Sequence, residues 1–239
     1  MPHYQKRQEN EYGQPIGFDI ATPQAQVPQQ DLNGSTVCLR QLTSSNLTQT
    51  RLEQLWQVIQ TEVDHQCWTY LTYDAPQSLQ QLQQFLNSQF NFANAVHYLI
   101  ELNQHIVGWV AFLNIRPEHQ AIEIGNVYFS HAMKRSTAAT ETIYLLLQEA
   151  CSLGYRRVEW KCDELNVPSK QAALRYGFQF EGVFRQDRIY KQRNRNTAWF
   201  SILDEEWSVL KYAYMAWLHA DNFDQEGKQK QRLKDLMVQ

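Results

Sequence analysis

The segment that begins at Ile122 and reads IEIGNVYFSHAMKRSTAATE constrains the fold of this chain more than any other feature. Ile122 and Ile124 share one face of a strand, whereas Val127 and Phe129 would fall on the other face unless the strand accommodates an extra residue. A glycine inside a strand is a usual place for such a β-bulge, and Gly125 lies where the pattern shifts. The segment therefore predicts a strand that bends near its middle.

A bulge at Gly125 and Asn126 would turn the strand away from its neighbour in the sheet. Backbone N–H and C=O groups that lose their partners in this way are free to bind an extended ligand. These groups would belong to Val127, Tyr128 and Phe129. The segment thus predicts a wedge-shaped opening between two strands.

The bent strand runs into a helix whose start is basic and rich in hydroxyl groups. His131, Lys134 and Arg135 precede Ser136 and Thr137, which are both typical N-cap residues. Since the first N–H groups of a helix carry partial positive charge, neighbouring cations favour an anion at this position. A capped helix with ordinary surface cations explains the same residues equally well.

The remaining hydrophobic periodicity predicts a mixed α/β domain. Strands are predicted at 36–42, 96–102, 105–115 and 121–129, the last three as an antiparallel meander. The helix 137–153, followed by a strand at 156–162, predicts a right-handed crossover and a parallel pair. The other predicted elements are helices at 47–58, 78–90, 168–175 and 205–220, strands at 178–190 and 197–203, and a turn at QRNRN (192–196).

Composition limits the class of protein and its division into domains. With 239 residues, of which 43% are hydrophobic and 13% aromatic, the chain can bury a core without disulfides. Residues 1–33 are rich in Gln, Pro and Asn and predict an extended or partly disordered arm. We expect the main domain at 34–206 and a C-terminal helix with a charged tail at 207–239.

Charge and cysteine content argue against several functional classes. A formal net charge of -3 gives no general attraction to nucleic acid or anionic lipid, and the basic stretch YKQRNRN is short. The four cysteines show no CxxC pair, so free thiols are expected rather than a metal site. The start is polar and lacks a signal core, and no apolar run is long enough to cross a bilayer. These features predict a cytoplasmic protein that binds neither nucleic acid nor membrane.

The segments IEIGNVYFSHAMKRSTAATE and NVPSKQAALRYGFQFEG resemble the GNAT acetyltransferase superfamily. The likeness covers about residues 36–206 and is greatest to the Rim-type branch, which acetylates protein N-termini and related amines. The resemblance implies a GNAT fold, with a mixed and mostly antiparallel sheet that is splayed at the bulge and flanked by helices. It also implies acetyl-CoA as the cosubstrate, lying in the wedge.

The resemblance further implies which residues hold the cofactor. The family binds pyrophosphate with a loop of the pattern Arg/Gln-x-x-Gly-x-Gly/Ala, in which Arg135 matches the first position. Ala138 stands at the first glycine, and Thr140 replaces the second small residue. Because glycine allows the closest approach of a phosphate, we expect fewer direct amide contacts here. The implied cofactor residues are Val127, Tyr128, Phe129, Arg135, Ser136, Thr137, Ala138, Ala139, Thr140, Asn166 and Ser169.

Two catalytic residues are implied. Glu123 is the candidate general base, commonly acting through water, and a solvated strand residue is the alternative interpretation. Ser169 lies one helical turn after Asn166 and is the candidate donor to the departing thiolate, or else a helix cap. Many relatives carry a tyrosine seven residues after the asparagine, where this chain has Ala173.

The acceptor site is less well specified. The aromatic connection CWTYLTYDAP could line a pocket with Trp68, Tyr70 and Tyr73, or fill the core beneath it. The hairpin could contact the acceptor through Arg185, Asp187, Arg188 and Tyr190, although a solvated charged face is the simpler interpretation.

These assignments leave the identity of the acceptor amine open. A protein N-terminus and a small-molecule amine are both compatible with them, and a non-catalytic acyl-CoA or peptide-binding module is the alternative function. The stripe Trp207, Leu210, Tyr214 and Trp217 could form a homodimer or pack on its own sheet.

Overall fold

The computed structural model describes residues 5–20, 24–43, 45, 47–63, 65–89, 95–134 and 136–237; Arg135, the expected pyrophosphate-binding cation, lies outside the described residues. In chain order, the strands and α-helices of the described residues are β1 (Arg7–Glu9), β2 (Pro15–Gly17), β3 (Leu32–Asn33), β4 (Val37–Leu42), α1 (Gln49–Gln60), α2 (Leu79–Gln89), β5 (Val96–Leu102), β6 (His105–Arg116), β7 (Ala121–Phe129), α3 (Thr137–Ser152), β8 (Arg157–Asp163), α4 (Val167–Arg175), β9 (Gln179–Tyr190), β10 (Arg193–Leu203), α5 (Asp204–Leu218) and α6 (Leu233–Leu236).

The main sheet has the strand order β3-β4-β5-β6-β7-β8-β10-β9. Its neighbours are antiparallel except for β7 and β8, which are parallel and joined through α3. The predicted meander and crossover are therefore confirmed, as is the mixed and mostly antiparallel sheet. β10 returns between β8 and β9, so the last hairpin extends the sheet beside the parallel pair.

The bulge predicted in β7 is present. Trp109 of β6 pairs with Tyr128, but Ala111 pairs with Gly125, so β7 contains one extra residue. The residue with the left-handed backbone is Asn126, whose φ is 48°. Gly125 matters for another reason, because a Cβ there would lie 2.8 Å from the Leu113 side chain.

The two parallel strands part immediately before this bulge. β7 pairs with β8 at only three positions, and the last pair is Glu123 with Glu159. Beyond that pair the described strands share no ladder, and we call the gap between them the wedge. The expectation of a sheet that is splayed at a β-bulge is therefore confirmed.

The turn of the last hairpin is shorter than predicted. Lys191 and Gln192 both have left-handed φ values, 47° and 59°, as in the two-residue hairpin turns that match strand twist. β10 consequently begins at Arg193 rather than at Thr197. The prediction of a turn at 192–196 is wrong, and Arg195 is a strand residue.

The stripe on α5 packs against the chain itself. Leu210, Tyr214 and Trp217 are buried in the main hydrophobic core, and the Tyr214 hydroxyl donates to the Tyr176 carbonyl at 2.9 Å. The interpretation of this stripe as a dimer surface is wrong, because the domain core already covers it. A homodimer through another surface stays a prediction.

Parts of the N-terminal segment lie along the domain. β1 and β2 form an exposed two-stranded sheet, whereas β3 adds to the edge of the main sheet beside β4. Between β2 and β3, the Gln26 N–H donates to the Leu153 carbonyl at 2.9 Å, and Leu32 of β3 is buried. No helix among the described residues is long and apolar enough to cross a membrane.

Glu141 fastens α3 to the start of β4. Its buried carboxylate accepts hydrogen bonds from the backbone N–H groups of Ser35, Thr36 and Val37, at 2.5, 2.9 and 3.1 Å. The Thr36 hydroxyl donates to the same carboxylate. Because α3 follows the bent strand, this contact positions the helix that borders the wedge.

We expect Glu141→Gln to lower the free energy of unfolding by about 3 kcal/mol, because an amide N–H₂ would replace an oxygen that faces donors. Chemical denaturation measures this quantity. Glu149→Gln is the matched control, since Glu149 is buried on the same helix but its Oε1 has no hydrogen-bond partner among the described residues. Its expected cost is below about 1 kcal/mol. Equal losses in both variants would contradict the anchoring role.

Candidate active site

The wedge holds a cavity of about 610 Å³ that is lined by both parting strands. Successive residues of β8 point to opposite faces of the sheet. On one face, the Trp160 Nε1–H donates to Ser169 Oγ of α4 at 3.0 Å; we call this the α4 face. On the other, Lys161 Nζ contacts Glu123 Oε2 at 2.7 Å; we call this the Lys161 face. All four residues line the cavity, so it is accessible to groups from both faces.

The backbone of β7 offers hydrogen-bonding groups to the wedge, though fewer than predicted. The Ser130 N–H donates to the Val107 carbonyl of β6 at 3.2 Å, and alternation along an antiparallel ladder then directs the backbone of Tyr128 to β6 as well. Val127 and Phe129 face the other way and line the cavity. The prediction of Tyr128 as a cofactor residue is therefore wrong, and its buried ring stacks on Trp109 at 4.2 Å.

Glu123 lies on the Lys161 face at the apex of the wedge. Its side chain is buried, and its carboxylate contacts both Lys161 Nζ and the Asn114 side-chain amide, which donates to Oε2. Asn114 itself has a left-handed φ of 45°, in a second register shift that faces this part of β7. The interpretation of Glu123 as a solvated residue is wrong, because both neighbouring strands enclose it.

Ser169 and Asn166 lie together on the α4 face and line the same cavity. Asn166 is the N-cap of α4, and its Oδ1 accepts from the Ser169 N–H at 3.1 Å. The cap is therefore Asn166, and the alternative interpretation of Ser169 as the cap is wrong. Because Ser169 Oγ accepts from Trp160, its own hydroxyl hydrogen can be donated to another group, either the neighbouring Cys162 sulfur or a ligand in the wedge.

The start of α3 has fewer available amides than the five predicted. Ser136 caps the helix by accepting from the Ala139 N–H at 3.4 Å, and its own N–H donates to Met133. The Thr140 N–H falls within the helical ladder, and its side chain accepts from Arg175 at 2.9 Å. At this helix start, the N–H groups of Thr137 and Ala138 have no partner among the described residues.

The aromatic connection covers the Lys161 face. Tyr70 and Tyr73 line the cavity, as predicted, and the Tyr73 hydroxyl donates to Asn126 Oδ1 in the bulge at 2.5 Å. Burial raises the pKa of Tyr73, so it stays protonated and keeps this bond at physiological pH. The connection is held to the hairpin by Lys191, whose ammonium contacts Asp74 at 2.9 Å.

Three predicted acceptor residues lie elsewhere. Trp68 is buried in the core and stacks on Tyr128 at 5.1 Å, so it fills space beneath the connection. Arg185 is exposed in an irregular part of β9 and is not part of the cavity wall. Tyr190 does not line the cavity either. Its hydroxyl donates to Asp163 Oδ2 at 2.8 Å, and Asp163 lines the cavity. Arg188 lines the cavity, as predicted.

Sequence reasoning missed several cavity residues. Lys161 and Asp163 alternate with Trp160 and Cys162 along β8. This period of two could have predicted that Lys161 and Asp163 share one face of the sheet. Arg195 reaches the cavity because β10 inserts beside β8, and no local pattern in the sequence reveals that insertion. His97 also lines the cavity, and burial lowers its pKa to about 4, which leaves it neutral at pH 7.

The described geometry agrees with comparisons to known proteins. A family model described as an acetyltransferase (GNAT) domain matches residues 36–179. A GCN5-related N-acetyltransferase from Brucella melitensis is 36% identical, with a TM-score of 0.86 over 91% of this chain and 98% of that one. An acetyltransferase of the GNAT family from Chromobacterium violaceum is 33% identical, with a TM-score of 0.74 over 81% and 96%.

A Rim-type enzyme shares the fold at lower identity. RimL, a ribosomal L7/L12 α-N-protein acetyltransferase solved in complex with coenzyme A, is 20% identical, with a TM-score of 0.56 over 73% of this chain and 98% of that one. Comparison with curated protein sequences gives no match. Acetyltransferases of the matched family use acetyl-CoA, which confirms the predicted cosubstrate. From the family match, the first two relatives and the splayed sheet, the chain belongs to the GNAT acetyltransferases.

Proposed function

We propose that this chain transfers the acetyl group of acetyl-CoA to a primary amine by direct attack in the wedge. The observation that carries the proposal is the placement of Glu123 and Ser169 on opposite faces of the same opening. A thioester lying between β7 and β8 would have a proton acceptor on one side and a hydroxyl donor on the other. Both groups suit the reaction, because the amine loses a proton and the departing thiolate gains one.

Backbone groups and a helix terminus would hold the cosubstrate. Val127 and Phe129 present unpaired backbone groups that suit the amides of the pantetheine arm. The free N–H groups of Thr137 and Ala138 carry the partial positive charge of a helix start, which suits the pyrophosphate. In this proposal Arg135 adds a full charge beside them.

We expect Arg135→Glu to weaken CoA binding by about tenfold or more, because the variant places a negative charge beside the phosphates. Isothermal titration calorimetry with CoA measures the effect. Arg156→Glu is the control, since Arg156 is exposed just before β8, at the opposite end of the strand from the wedge opening. Unchanged affinity in Arg135→Glu would contradict the proposed pyrophosphate site.

Glu123 is the proposed base, acting directly or through one water. Its carboxylate keeps acceptor capacity beyond its contacts with Lys161 and Asn114, and those contacts fix its orientation. The Lys161 ammonium also disfavours a second positive charge nearby, so it favours the neutral form of an incoming amine. Only that neutral form can attack the thioester.

We expect Glu123→Gln to lose activity most at neutral pH and to approach wild type as pH rises, because a deprotonated acceptor amine no longer needs a base. The pH profile of kcat/KM, measured as thiol release, reports this change. Glu118→Gln, at an exposed position just before β7, is the control. A constant ratio of variant to wild type at every pH would refute the assignment.

Ser169 is the proposed donor to the leaving thiolate. We expect Ser169→Ala to lower kcat with CoA as the leaving group, and to lose less activity with an acetyl thioester of a more acidic thiol, because that thiolate needs less help from a donor. Parallel assays with the two thioesters measure the difference. Ser152→Ala, at the far end of α3, is the control. An equal defect with both thioesters would contradict the donor role.

Direct attack is favoured over an acetyl intermediate on Cys162, one of two described cysteines that line the cavity. Cys162 is the described cysteine on β8 that lines the cavity on the α4 face. Burial raises the pKa of its thiol, so little thiolate is present at neutral pH. Since the thiolate is the nucleophilic form, a covalent intermediate on Cys162 is disfavoured.

The acceptor class is a protein N-terminus or a small primary amine, and the fold likeness to a Rim-type enzyme favours the first. A module that binds acyl-CoA without turnover is the second candidate, and the alanine and threonine at the loop positions favour it. Release of free CoA from acetyl-CoA in the presence of an amine distinguishes the two. A cytoplasmic location stays a prediction.

A further inference from the structure

Two arginines face each other across the last hairpin. Arg188 of β9 and Arg195 of β10 are directly paired in the antiparallel ladder, and both line the cavity. Residues paired in this way project to the same face of the sheet, where like charges repel. Such a pair is unfavourable in the empty cavity, and an anion bound between the two guanidinium groups would relieve the repulsion.

Among the described residues, Arg195 has no charge partner. It is 8% exposed, and its Nε has no hydrogen-bond partner. Throughout the described ranges, no carboxylate lies within 4 Å of its guanidinium, which instead sits 5.7 Å from the centre of the Tyr190 ring. Buried charges in folded proteins are normally paired, so an unpaired one that lines a cavity points to a ligand.

The neighbouring carboxylates are already engaged. Asp163 accepts from the Tyr190 hydroxyl at 2.8 Å and from the Leu165 N–H at 2.8 Å. Asp187 contacts Arg188 Nε at 3.5 Å, which leaves the other nitrogens of that half-exposed guanidinium available. The hairpin end of the cavity therefore has spare donors rather than spare acceptors.

Other donors on the same face of β10 are also without partners. Thr197 and Trp199 share a face with Arg195, because strand side chains alternate. Thr197 Oγ1 and Trp199 Nε1 are buried and have no hydrogen-bond partner in the described chain. Thr197 and Trp199 do not themselves line the cavity, but Lys161 lies over the Trp199 ring at 5.0 Å, so the face of the sheet that carries Arg195 also borders Glu123.

We propose that the acceptor amine carries a carboxylate, which Arg195 and Arg188 bind at the hairpin end of the cavity while the amine lies at Glu123. The inference rests on the proposed function, since it names the acceptor of that reaction. Four residues along β10 separate Trp199 from Arg195 by ~13 Å. This separation favours a longer acceptor over an α-amino acid: an ω-amino acid, or a peptide N-terminus followed within a few residues by Asp or Glu.

The test uses matched acceptors that differ in one charge. The peptide pair is Ser-Gly-Asp-amide and Ser-Gly-Asn-amide, and the small-molecule pair is 6-aminohexanoate and 6-aminohexanamide. We expect the wild type to show about tenfold or higher kcat/KM for the charged member of at least one pair, since charge-assisted hydrogen bonds differ from neutral ones by this much. Whichever pair shows the preference identifies the source of the carboxylate. Equal values within both pairs would overturn the inference.

Variants assign the preference to the hairpin. We expect Arg195→Gln to raise KM for the charged acceptor and to remove the preference between the members of each pair. Arg195→Lys should restore part of the preference. Arg193→Gln, an exposed position on the same strand, is the control. Thermal melting checks that the variants fold, and a preference that survives in a folded Arg195→Gln would contradict the assignment.

A binding measurement separates this inference from the proposed function. Calorimetry with the same acceptors in the presence of saturating CoA detects the carboxylate preference without turnover. If no acceptor is acetylated but the charged members bind more tightly, the transfer proposal fails and the carboxylate site stands. If acetylation occurs with no preference in rate or binding, the transfer proposal stands and the carboxylate site fails.

Discussion

The end of the β7–β8 ladder at Glu123 and Glu159 is the constraint on which the rest of the structure depends. A parallel pair normally continues until one strand ends, but here the bulge at Asn126 turns β7 aside. Because of this bend, backbone groups of β7 that face the wedge have no partner among the described residues, and burying such groups costs free energy. A ligand that supplies those partners gains the hydrogen bonds that the sheet lacks, so the same defect that weakens the sheet creates the binding slot.

The end of the ladder also brings carboxylates together. Glu123 and Glu159 are adjacent in register, and each is held by its own cations: Lys161 for the first, Arg116 and Arg157 for the second. This neutralisation lets two acidic side chains remain buried at the apex of the wedge. Arg195 has no such partner in the part of the chain that the structure describes, and this difference distinguishes a group that is held by the fold from one that is available to a ligand.

Local patterns in the sequence predicted most of the strands and helices and the bend in β7. Hydrophobic alternation gave both boundaries of β5 and of β7 at the residues where the structure has them. In these segments the local preference for a strand agrees with their place in the folded sheet. The bulge was visible as a shifted period, whereas Asn166 and Ser169 were identified from the resemblance of their segment to the GNAT superfamily. The turn at 192–196 was wrong because two non-glycine residues adopt left-handed conformations there, and neither is a strong signal for that geometry.

The sequence by itself determined the order of strands and helices from β4 to α5, the position of the bend and the capped helix that follows it, since each depends on residues close together in the chain. Only the tertiary structure decided that Trp68 fills the core, that Glu123 is buried against Lys161, and that Arg195 stands opposite Arg188 at the cavity. Trp68 packs on residues of β6 and β7, the Glu123 contact joins β7 to β8, and the pairing of Arg195 with Arg188 depends on β10 inserting between β8 and β9. None of these contacts is visible in the residues that flank each side chain in the sequence. Pairing across distant strands is a property of the folded sheet, and it determines which charges are left without a partner.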